Sequence, residues 1–247
     1  MTSERFFIAG KVKDADYVSL EGAEHHHLSK VARMKPGQEV WLFDKEGFQY
    51  LARVKEIGKE NTCVHILRIE RQKHPRVRVT IAQALIKSKK MDFVFQKSTE
   101  LGAHIFVPII SARTVVKIQD RMDKKLNRWK RIVIEAAKQS GNVAVPEVKT
   151  PMELTDFLQR RDESKKMFFS ERGGKLFRDI LMPSFINKSA PPRAVTLLIG
   201  PEGGWTDKEE GDILDNDFEA VSLGPFTLRS ETAAMVSLAM VSHFWNC

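Results

Sequence analysis

Two glycine-containing loops near the end of the chain have the residue types of a ligand-binding site. The first loop, residues 199–205, reads Ile-Gly-Pro-Glu-Gly-Gly-Trp and ends a short apolar run. The second loop, residues 223–229, reads Leu-Gly-Pro-Phe-Thr-Leu-Arg and ends another. Glycine allows a tight turn and lets a ligand approach the backbone closely. Ligands of open α/β sheets bind at the carboxyl ends of the strands, so we expect both loops to face one ligand.

The loops match neither of the common phosphate-binding patterns. No Lys-Ser or Lys-Thr pair follows the glycines, which argues against a P-loop, and no Gly-x-Gly-x-x-Gly sequence indicates a dinucleotide site. Apolar, glycine-rich loops with little positive charge suit a flat, uncharged group such as adenine, held by backbone donors and acceptors. Two ordinary strand-to-helix turns would have the same composition, so the loops alone leave both interpretations open.

From residue 77 onward the chain alternates between strand-like and helix-like segments. Short β-rich runs predict strands at residues 77–85, 104–110, 166–170, 195–199 and 218–223. Apolar spacing and end signals predict helices at residues 88–101, 124–140, 176–182 and 231–245, the last with Ser230 as its N-cap. Capping-box patterns starting at Thr150 and Thr206 predict two more helix starts. This alternation is typical of an α/β domain with a mostly parallel sheet covered on both faces.

The N-terminal part has a different pattern, with closely spaced β-rich runs and turns between them. The runs are residues 5–8, 17–20, 39–44, 49–54 and 62–69, and one short helix is predicted near residues 24–34. Such spacing predicts a small barrel or sandwich. A basic linker at residues 68–78 contains Pro75, which marks the predicted boundary. We therefore expect an N-terminal domain at residues 1–72 and a second domain at residues 73–247.

Composition narrows the class of protein. The chain has 247 residues and a net charge of +8, which favours a polyanionic partner. No apolar run has the length of a membrane span, so we expect a cytoplasmic protein and no membrane partner. Three consecutive histidines begin at His25, but consecutive residues do not point at one ion, and we expect no metal. We expect these histidines to be partly packed and partly solvated at a helix start, and the functional alternative is that one of them touches RNA.

Several segments together resemble one enzyme family. Residues 197–204 read Leu-Leu-Ile-Gly-Pro-Glu-Gly-Gly, and residues 223–233 read Leu-Gly-x-x-x-Leu-Arg-x-Glu-Thr-Ala. These motifs resemble the C-terminal half of SPOUT RNA methyltransferases, and more closely the RsmE family, which methylates N3 of a uridine in bacterial 16S ribosomal RNA. Residues 24–37, 90–102 and 135–141 resemble further segments of that family, so the likeness covers nearly the whole chain in order.

The resemblance implies a fold, a cofactor and partners. It implies an N-terminal PUA-like β-barrel that grips RNA and a C-terminal SPOUT α/β domain with a parallel sheet and a C-terminal trefoil knot. It implies S-adenosyl-L-methionine as the cofactor, and 16S ribosomal RNA or the small ribosomal subunit as the partner. It also implies a homodimer with its sites near the interface.

The resemblance also implies roles for particular residues. Arg229 would stabilise the uracil anion, and Glu231 or Glu202 would take the N3 proton or fix Arg229. The plain alternatives are an arginine that pairs with Glu231 and a Glu231 that only stabilises the N-terminus of its helix. The residues expected to contact the cofactor are Leu198, Ile199, Gly200, Glu202, Gly203, Leu223, Gly224, Pro225 and Leu228. The residues expected to contact RNA are Arg5, Arg33, Lys87, Lys89, Lys90 and Arg113, for which a solvated charged surface is the alternative.

Two departures from the family pattern bear on the substrate. Residues 225–227 read Pro-Phe-Thr where the family usually has a second arginine, and Asn142 stands where it tends to have another.

Two other functions remain open. A SPOUT enzyme could methylate the ribose 2′-oxygen instead, and a barrel with a decayed catalytic domain could be a non-catalytic RNA-binding or ribosome assembly factor.

Overall fold

The computed structural model describes residues 4–10, 12, 16–71, 76–114, 122–142, 145–187 and 189–245. Contacts divide the chain into two compact units, one formed by Met1–His74 with Ala137–Val145 and the other by Pro75–Ala136 with Pro146–Cys247. The predicted boundary between residues 72 and 73, like Pro75, lies outside the described residues, so its position stays a prediction.

The first unit is built on a five-stranded sheet, as the closely spaced β-rich runs predict. Its strands are β1 (Arg5–Phe7), β2 (Tyr17–Glu21), β3 (Glu39–Phe43), β4 (Phe48–Ile57) and β5 (Asn61–Arg71). They lie in the order β1-β3-β4-β5-β2, with β1 parallel to β3 and the other pairs antiparallel. Phe6, Leu28, Val40, Tyr50 and Val64 are among the residues that form its core.

The predicted short helix of this unit is present between β2 and β3. It consists of α1 (Gly22–His26) and a π-helical turn (His27–Val31). His25 is buried, and its ring contacts the hydroxyl of Thr62 at 2.8 Å and the carbonyl of Lys59 at 3.3 Å. His25 is therefore held inside the first unit by contacts with Thr62 and Lys59. The described part of the chain contains no group of three or more side chains suited to hold a metal ion.

The second unit is a parallel sheet with helices between its strands, which confirms the predicted α/β architecture. In chain order its elements are β6 (Arg78–Ala84), α2 (Ser88–Glu100), β7 (Ile105–Ile110), α3 (Met122–Ser140, whose last four residues belong to the first unit), β8 (Glu147–Val148), β9 (Met152–Glu153), α4 (Leu154–Leu158), β10 (Lys165–Phe169), β11 (Lys175–Leu176), α5 (Phe177–Ile186), β12 (Ala194–Ile199), α6 (Asp207–Asp215), β13 (Glu219–Ser222) and α7 (Ser230–Trp245). The strand order is β11-β13-β10-β12-β6-β7-β8, with β9 also on β7, and the pairings are parallel.

Three predicted helix ends differ in the structure. The capping box expected at Thr150 is absent, because Met152 and Glu153 pair with β7 as β9 and the helix begins only at Leu154. Helix α5 passes residue 182 and continues through Pro183 to Ile186. Ser230 is the first residue of α7, and its hydroxyl donates to the carbonyl of Gly200. The trefoil knot stays a prediction.

None of the helices in the described ranges combines the length and the apolar character needed to cross a membrane.

Candidate active site

Three loops meet at one edge of the second unit's sheet. Strand β10 pairs with β12 on one side and with β13 on the other, and all three run parallel. Their carboxyl ends therefore lead into the same space, the first loop from β12, the second loop from β13, and residues 170–174 (the third loop) from β10. A cavity of about 520 Å³ lies there and is lined by all three loops. The sheet order thus brings the two predicted loops together, as expected, and adds another.

Most of the predicted cofactor residues lie on the cavity wall. Those placed there are Ile199, Gly200, Glu202, Gly203, Leu223, Gly224, Pro225 and Leu228. Leu198 does not line the cavity and is instead fully buried in the hydrophobic core with Ala82 and Phe168. Successive side chains of a strand point to opposite faces, so the side chains of Leu198 and Ile199 cannot both face the cavity.

The first loop is held by the helix that follows it. The predicted capping box at Thr206 is formed: the Glu209 amide donates to the Thr206 hydroxyl at 3.2 Å, and the Thr206 amide donates to the Glu209 carboxylate at 2.9 Å. The other oxygen of Glu209 accepts the amide of Ala112 at 2.8 Å. The capping box therefore supplies hydrogen-bond partners for backbone amides at the start of α6. Through Glu209 it also links this helix to the segment after β7.

Arg113 holds the same loop from its exposed side. Its Nη1 donates to the carbonyl of Gly203 at 2.6 Å and to that of Trp205 at 3.3 Å. Although Arg113 lines the cavity and was predicted to bind RNA, these bonds give it a role in fixing the first loop.

A buried polar chain links the first loop to the start of α7. The Ser230 hydroxyl donates to the Gly200 carbonyl at 2.5 Å and accepts from Gln83 Nε2 at 2.8 Å. Gly200 also packs against the buried indole of Trp205, since a Cβ at this position would lie 3.1 Å from the ring. A side chain at this position would therefore require the Trp205 ring to shift by a few tenths of an ångström.

Arg229 is an exposed cation on the cavity wall, at the end of the second loop. Among the described residues no ion pair or side-chain hydrogen bond involves its guanidinium, so the alternative of a pair with Glu231 is not formed. It immediately precedes α7, whose N-terminal dipole repels a cation from the helix end. The guanidinium is therefore available to an anion in the cavity.

Glu231 has a different position from the one expected for a base that contacts the substrate. Its side chain is only 12% exposed, and it is not among the residues that line the cavity. One carboxylate oxygen lies 3.4 Å from Lys90 Nζ, and the other, Oε2, is buried without a hydrogen-bond partner. The structure thus connects Glu231 to the cavity through Lys90.

Lys90 lies on the cavity wall and was predicted to contact RNA. Its Nζ is 2.5 Å from Glu202 Oε1 and also faces Glu231. The hydrogen bond to Glu202, with the added charge of Glu231, raises the pKa of Lys90 above its usual value. The ammonium therefore stays protonated at neutral pH and is occupied by two carboxylates of the site.

The remaining residues predicted to bind RNA fall into two groups. Arg5 packs within the first unit, where it lies over the Phe43 ring and donates to Gln49 at 3.1 Å, so it is not a free surface cation. Arg33, Lys87 and Lys89 are exposed. A contact with RNA requires an exposed side chain, and of these four residues only Arg33, Lys87 and Lys89 meet that requirement.

The third loop contributes wall residues that sequence reasoning missed. Ser170, Glu171 and Arg172 line the cavity, as does Glu210, which accepts the Ser170 hydroxyl at 2.8 Å. The signal was the glycine pair Gly173–Gly174, three residues after the strand at residues 165–169, since glycines also follow the strands that lead into the other two loops. Gly174 must be glycine, because a Cβ there would lie 2.5 Å from the Ala220 carbonyl oxygen.

Comparison with known proteins matches both parts of the chain. Residues 72–242 match the family model of the RNA methyltransferase domain, and residues 20–67 match that of the RNA methyltransferase PUA domain. The ribosomal RNA small subunit methyltransferase E of Bacillus subtilis is 33% identical, over 97% of this chain and 96% of the relative. The protein of the same name from Aquifex aeolicus is 32% identical, over 91% and 93%.

Solved structures are also similar to this chain over nearly its whole length. The ribosomal RNA small subunit methyltransferase E of Neisseria gonorrhoeae, bound to S-adenosyl methionine, superposes with a TM-score of 0.86 at 32% identity, covering 98% of both chains. A protein from Legionella pneumophila, in complex with the bound cofactor SAM, gives a TM-score of 0.89 at 30% identity, again covering 98% of both. With both domains matched in order and relatives similar along nearly their whole length, this chain belongs to the RNA methyltransferase family that includes the ribosomal RNA small subunit methyltransferases E.

Proposed function

We propose that this protein transfers a methyl group from S-adenosylmethionine to N3 of a uridine in the 16S RNA of the small ribosomal subunit. The observation that carries the proposal is the cavity at the carboxyl ends of β10, β12 and β13, with the glycine loops on its wall and beside them Arg229, which has no partner among the described residues. The relatives bear the name of small subunit RNA methyltransferases, and one was solved with this cofactor.

The residues of the cavity suit the cofactor. Its volume of about 520 Å³ falls within the range of small-molecule sites. Ile199, Leu223 and Leu228 supply apolar surface for the adenine and ribose, and the loop glycines expose backbone donors and acceptors. When bound, S-adenosylmethionine supplies an electrophilic methyl group.

Methylation of uracil N3 also requires that the N3 proton leaves and that the resulting anion is stabilised. Negative charge then spreads to the two ring oxygens, where a fixed guanidinium is most effective. Arg229 is placed for this role because the other wall cations are engaged, Lys90 by carboxylates and Arg113 by backbone carbonyls. The proton acceptor belongs among the carboxylates of the wall, Glu171, Glu202 and Glu210.

The PUA domain and the basic surface support an RNA substrate. The chain carries a net charge of +8, and Arg33, Lys87 and Lys89 are exposed. Phosphate contacts from such side chains position an RNA without reading its sequence. Naked 16S RNA and the assembled small subunit are both compatible with these features, and either would place the enzyme in the cytoplasm.

We also propose that the protein acts as a homodimer. Residues 232–245 of α7 include no Lys, Arg, Asp or Glu, yet Val236, Ala239 and Met240 remain partly exposed. A helix that is apolar on all sides is normally buried on all sides. A second copy covering this face would complete its burial.

Nucleoside mass spectrometry of 16S RNA from cells with and without the gene tests the function. We expect 3-methyluridine to disappear in the deletion and to return when the purified protein and S-adenosylmethionine are added to the unmodified RNA or subunit. Loss of a ribose-methylated nucleoside instead would favour the alternative SPOUT reaction. An unchanged nucleoside profile, with no transfer in vitro, would favour the non-catalytic RNA-binding factor.

A further inference from the structure

An ionic bridge joins three segments that are far apart in the sequence. We define the Lys90 bridge as Lys90, Glu202 and Glu231. Lys90 Nζ lies 2.5 Å from Glu202 Oε1 in the first loop and 3.4 Å from Glu231 Oε1 in the first turn of α7. One ammonium therefore contacts carboxylates on both sides of the site.

The bridge is less exposed than an ordinary surface pair. The side chains of Lys90, Glu202 and Glu231 are 32%, 27% and 12% exposed, whereas those of the Arg53–Glu39 pair are 52% and 45% exposed. A carboxylate buried as deeply as that of Glu231 is costly without a cation beside it. Among the described residues Lys90 is the cation that faces it, so the contact matters more than a solvated pair would.

The dipoles of helices α2 and α7 act in opposite ways on Lys90 and Glu231. Lys90 is in the first turn of α2, where the helix dipole disfavours a cation, and Glu231 is in the first turn of α7, where the dipole favours an anion. Lys90 is therefore held by the two carboxylates and not by its own helix.

A second, uncharged link runs in parallel with the bridge. Gln83 donates to the Ser230 hydroxyl, which donates to the Gly200 carbonyl. Both links start from the β6–α2 segment and reach the first loop and the start of α7. Removing the bridge would leave the buried hydrogen-bonded link intact, so we expect the fold to survive while the loop loosens.

We propose that Lys90 is a positioning residue that fixes the first loop against the start of α7 through Glu202 and Glu231. Fixing Glu231 also fixes the backbone of Arg229, two residues before it. Lys90 thus acts on the cofactor site and not on RNA. The inference deepens the proposed function, since the loop it fixes is the one proposed to hold S-adenosylmethionine.

Lys90→Met tests the bridge with two readouts. Calorimetric titration should show S-adenosylmethionine affinity reduced about tenfold, the size of one lost charged hydrogen bond. Amide hydrogen exchange of the first loop, measured without any ligand, should become faster. Glu231→Gln should have the same effects, and the double variant should be little worse than either single one, because each change breaks the same bridge. Lys90→Arg should restore part of the affinity.

Lys97→Met is the matched control. Lys97 lies on the same helix, is 36% exposed and pairs with Glu100 at 2.8 Å, away from the cavity wall. It should change neither readout. If Lys90→Met fails to fold, Glu202→Gln removes the same link from the exposed loop and should give the same two changes.

The role of the Lys90 bridge and the proposed function are contradicted by different results. Cofactor affinity and exchange rates equal to those of the parent would overturn the bridge, as would a loss of RNA affinity with cofactor affinity unchanged. A parent protein that binds no S-adenosylmethionine would contradict the proposed function, while the exchange measurement would still decide whether Lys90 fixes the loop.

Discussion

Arg229 differs from the other cations on the cavity wall in having no partner among the described residues. Lys90 is held by two carboxylates, Arg113 by two carbonyls and Arg172 by Glu210 and Asp207. A cation with partners already has its charge compensated, so it can contribute less to a new anion. At the scale of single residues, the availability of Arg229 is the feature that favours a catalytic role.

Arg229→Ala should reduce kcat about 100- to 1,000-fold, by analogy with the loss of one oxyanion-hole donor. The melting temperature and cofactor affinity should stay near the parent values, because the described structure gives this side chain no partner to lose. Arg229→Lys should restore little, since a point charge cannot supply the two-pronged guanidinium. Steady-state kinetics and calorimetry measure both effects. Cofactor binding that falls together with kcat would instead make Arg229 a cofactor or structural residue.

Gly203→Val should weaken S-adenosylmethionine binding while leaving the fold intact. A Cβ at Gly203 would lie 3.4 Å from Arg113 Cδ, so a branched side chain would push Arg113 away from the carbonyls of Gly203 and Trp205. Gly203→Ala is the matched control, because its single methyl group only reaches ordinary contact distance. Equal cofactor affinity for the valine variant and the parent would contradict the assignment of this loop.

At the scale of elements, the start of α2 divides its lysines between two tasks. Lys87 and Lys89 are exposed, whereas Lys90, on the next position, turns toward the cavity. Consecutive helical residues point in directions about 100° apart, which allows one short basic run to serve both a site and a surface. The RNA-binding prediction therefore narrows to the two exposed lysines of this run.

Replacing Lys87 and Lys89 together with Ala should weaken RNA binding and flatten its dependence on salt. Each lost phosphate contact lowers the slope of log affinity against log salt by about one. Cofactor affinity should not change. Filter binding over a series of salt concentrations gives the slope, and a slope equal to that of the parent would assign both lysines to the solvated surface.

At the scale of the whole molecule, α7 leaves an apolar stripe partly exposed. It packs against α2 and α5 on its buried side. On its other side Thr232, Val236 and Ala239 lie one above another at helical spacing, flanked by Met240. The hydrophobic effect favours removing such apolar area from water, and this is the physical basis of the proposed dimer.

Val236→Glu should convert the proposed dimer into a monomer. The charge would lie in the centre of the apolar stripe, where burial without a partner is costly. Sedimentation velocity on the parent and the variant measures the change. Leu214→Glu serves as the control, because Leu214 is a 51% exposed apolar residue on α6 and its replacement should not alter assembly. A parent protein that is monomeric at micromolar concentration would contradict the dimer.

The sequence alone determined the local features of this protein. Strand and helix segments, the capping box at Thr206 and the two glycine loops depend on periodicity and on bonds between residues a few positions apart, so they could be predicted in order. The likeness of several segments to one family also required only the sequence. The failed capping box at Thr150 shows the limit, because pairing of Met152 and Glu153 with β7 overrode a local signal.

Only the tertiary structure decided which of these segments are neighbours. The placement of β10 between β12 and β13 adds the third loop to the site, and no local pattern specifies strand order. Lys90 and Glu202 are 112 positions apart, so their contact depends on the packing of the whole sheet. The same packing assigns Leu198 to the core and leaves Arg229 free among the described residues, because burial and pairing are set by what surrounds a side chain in space.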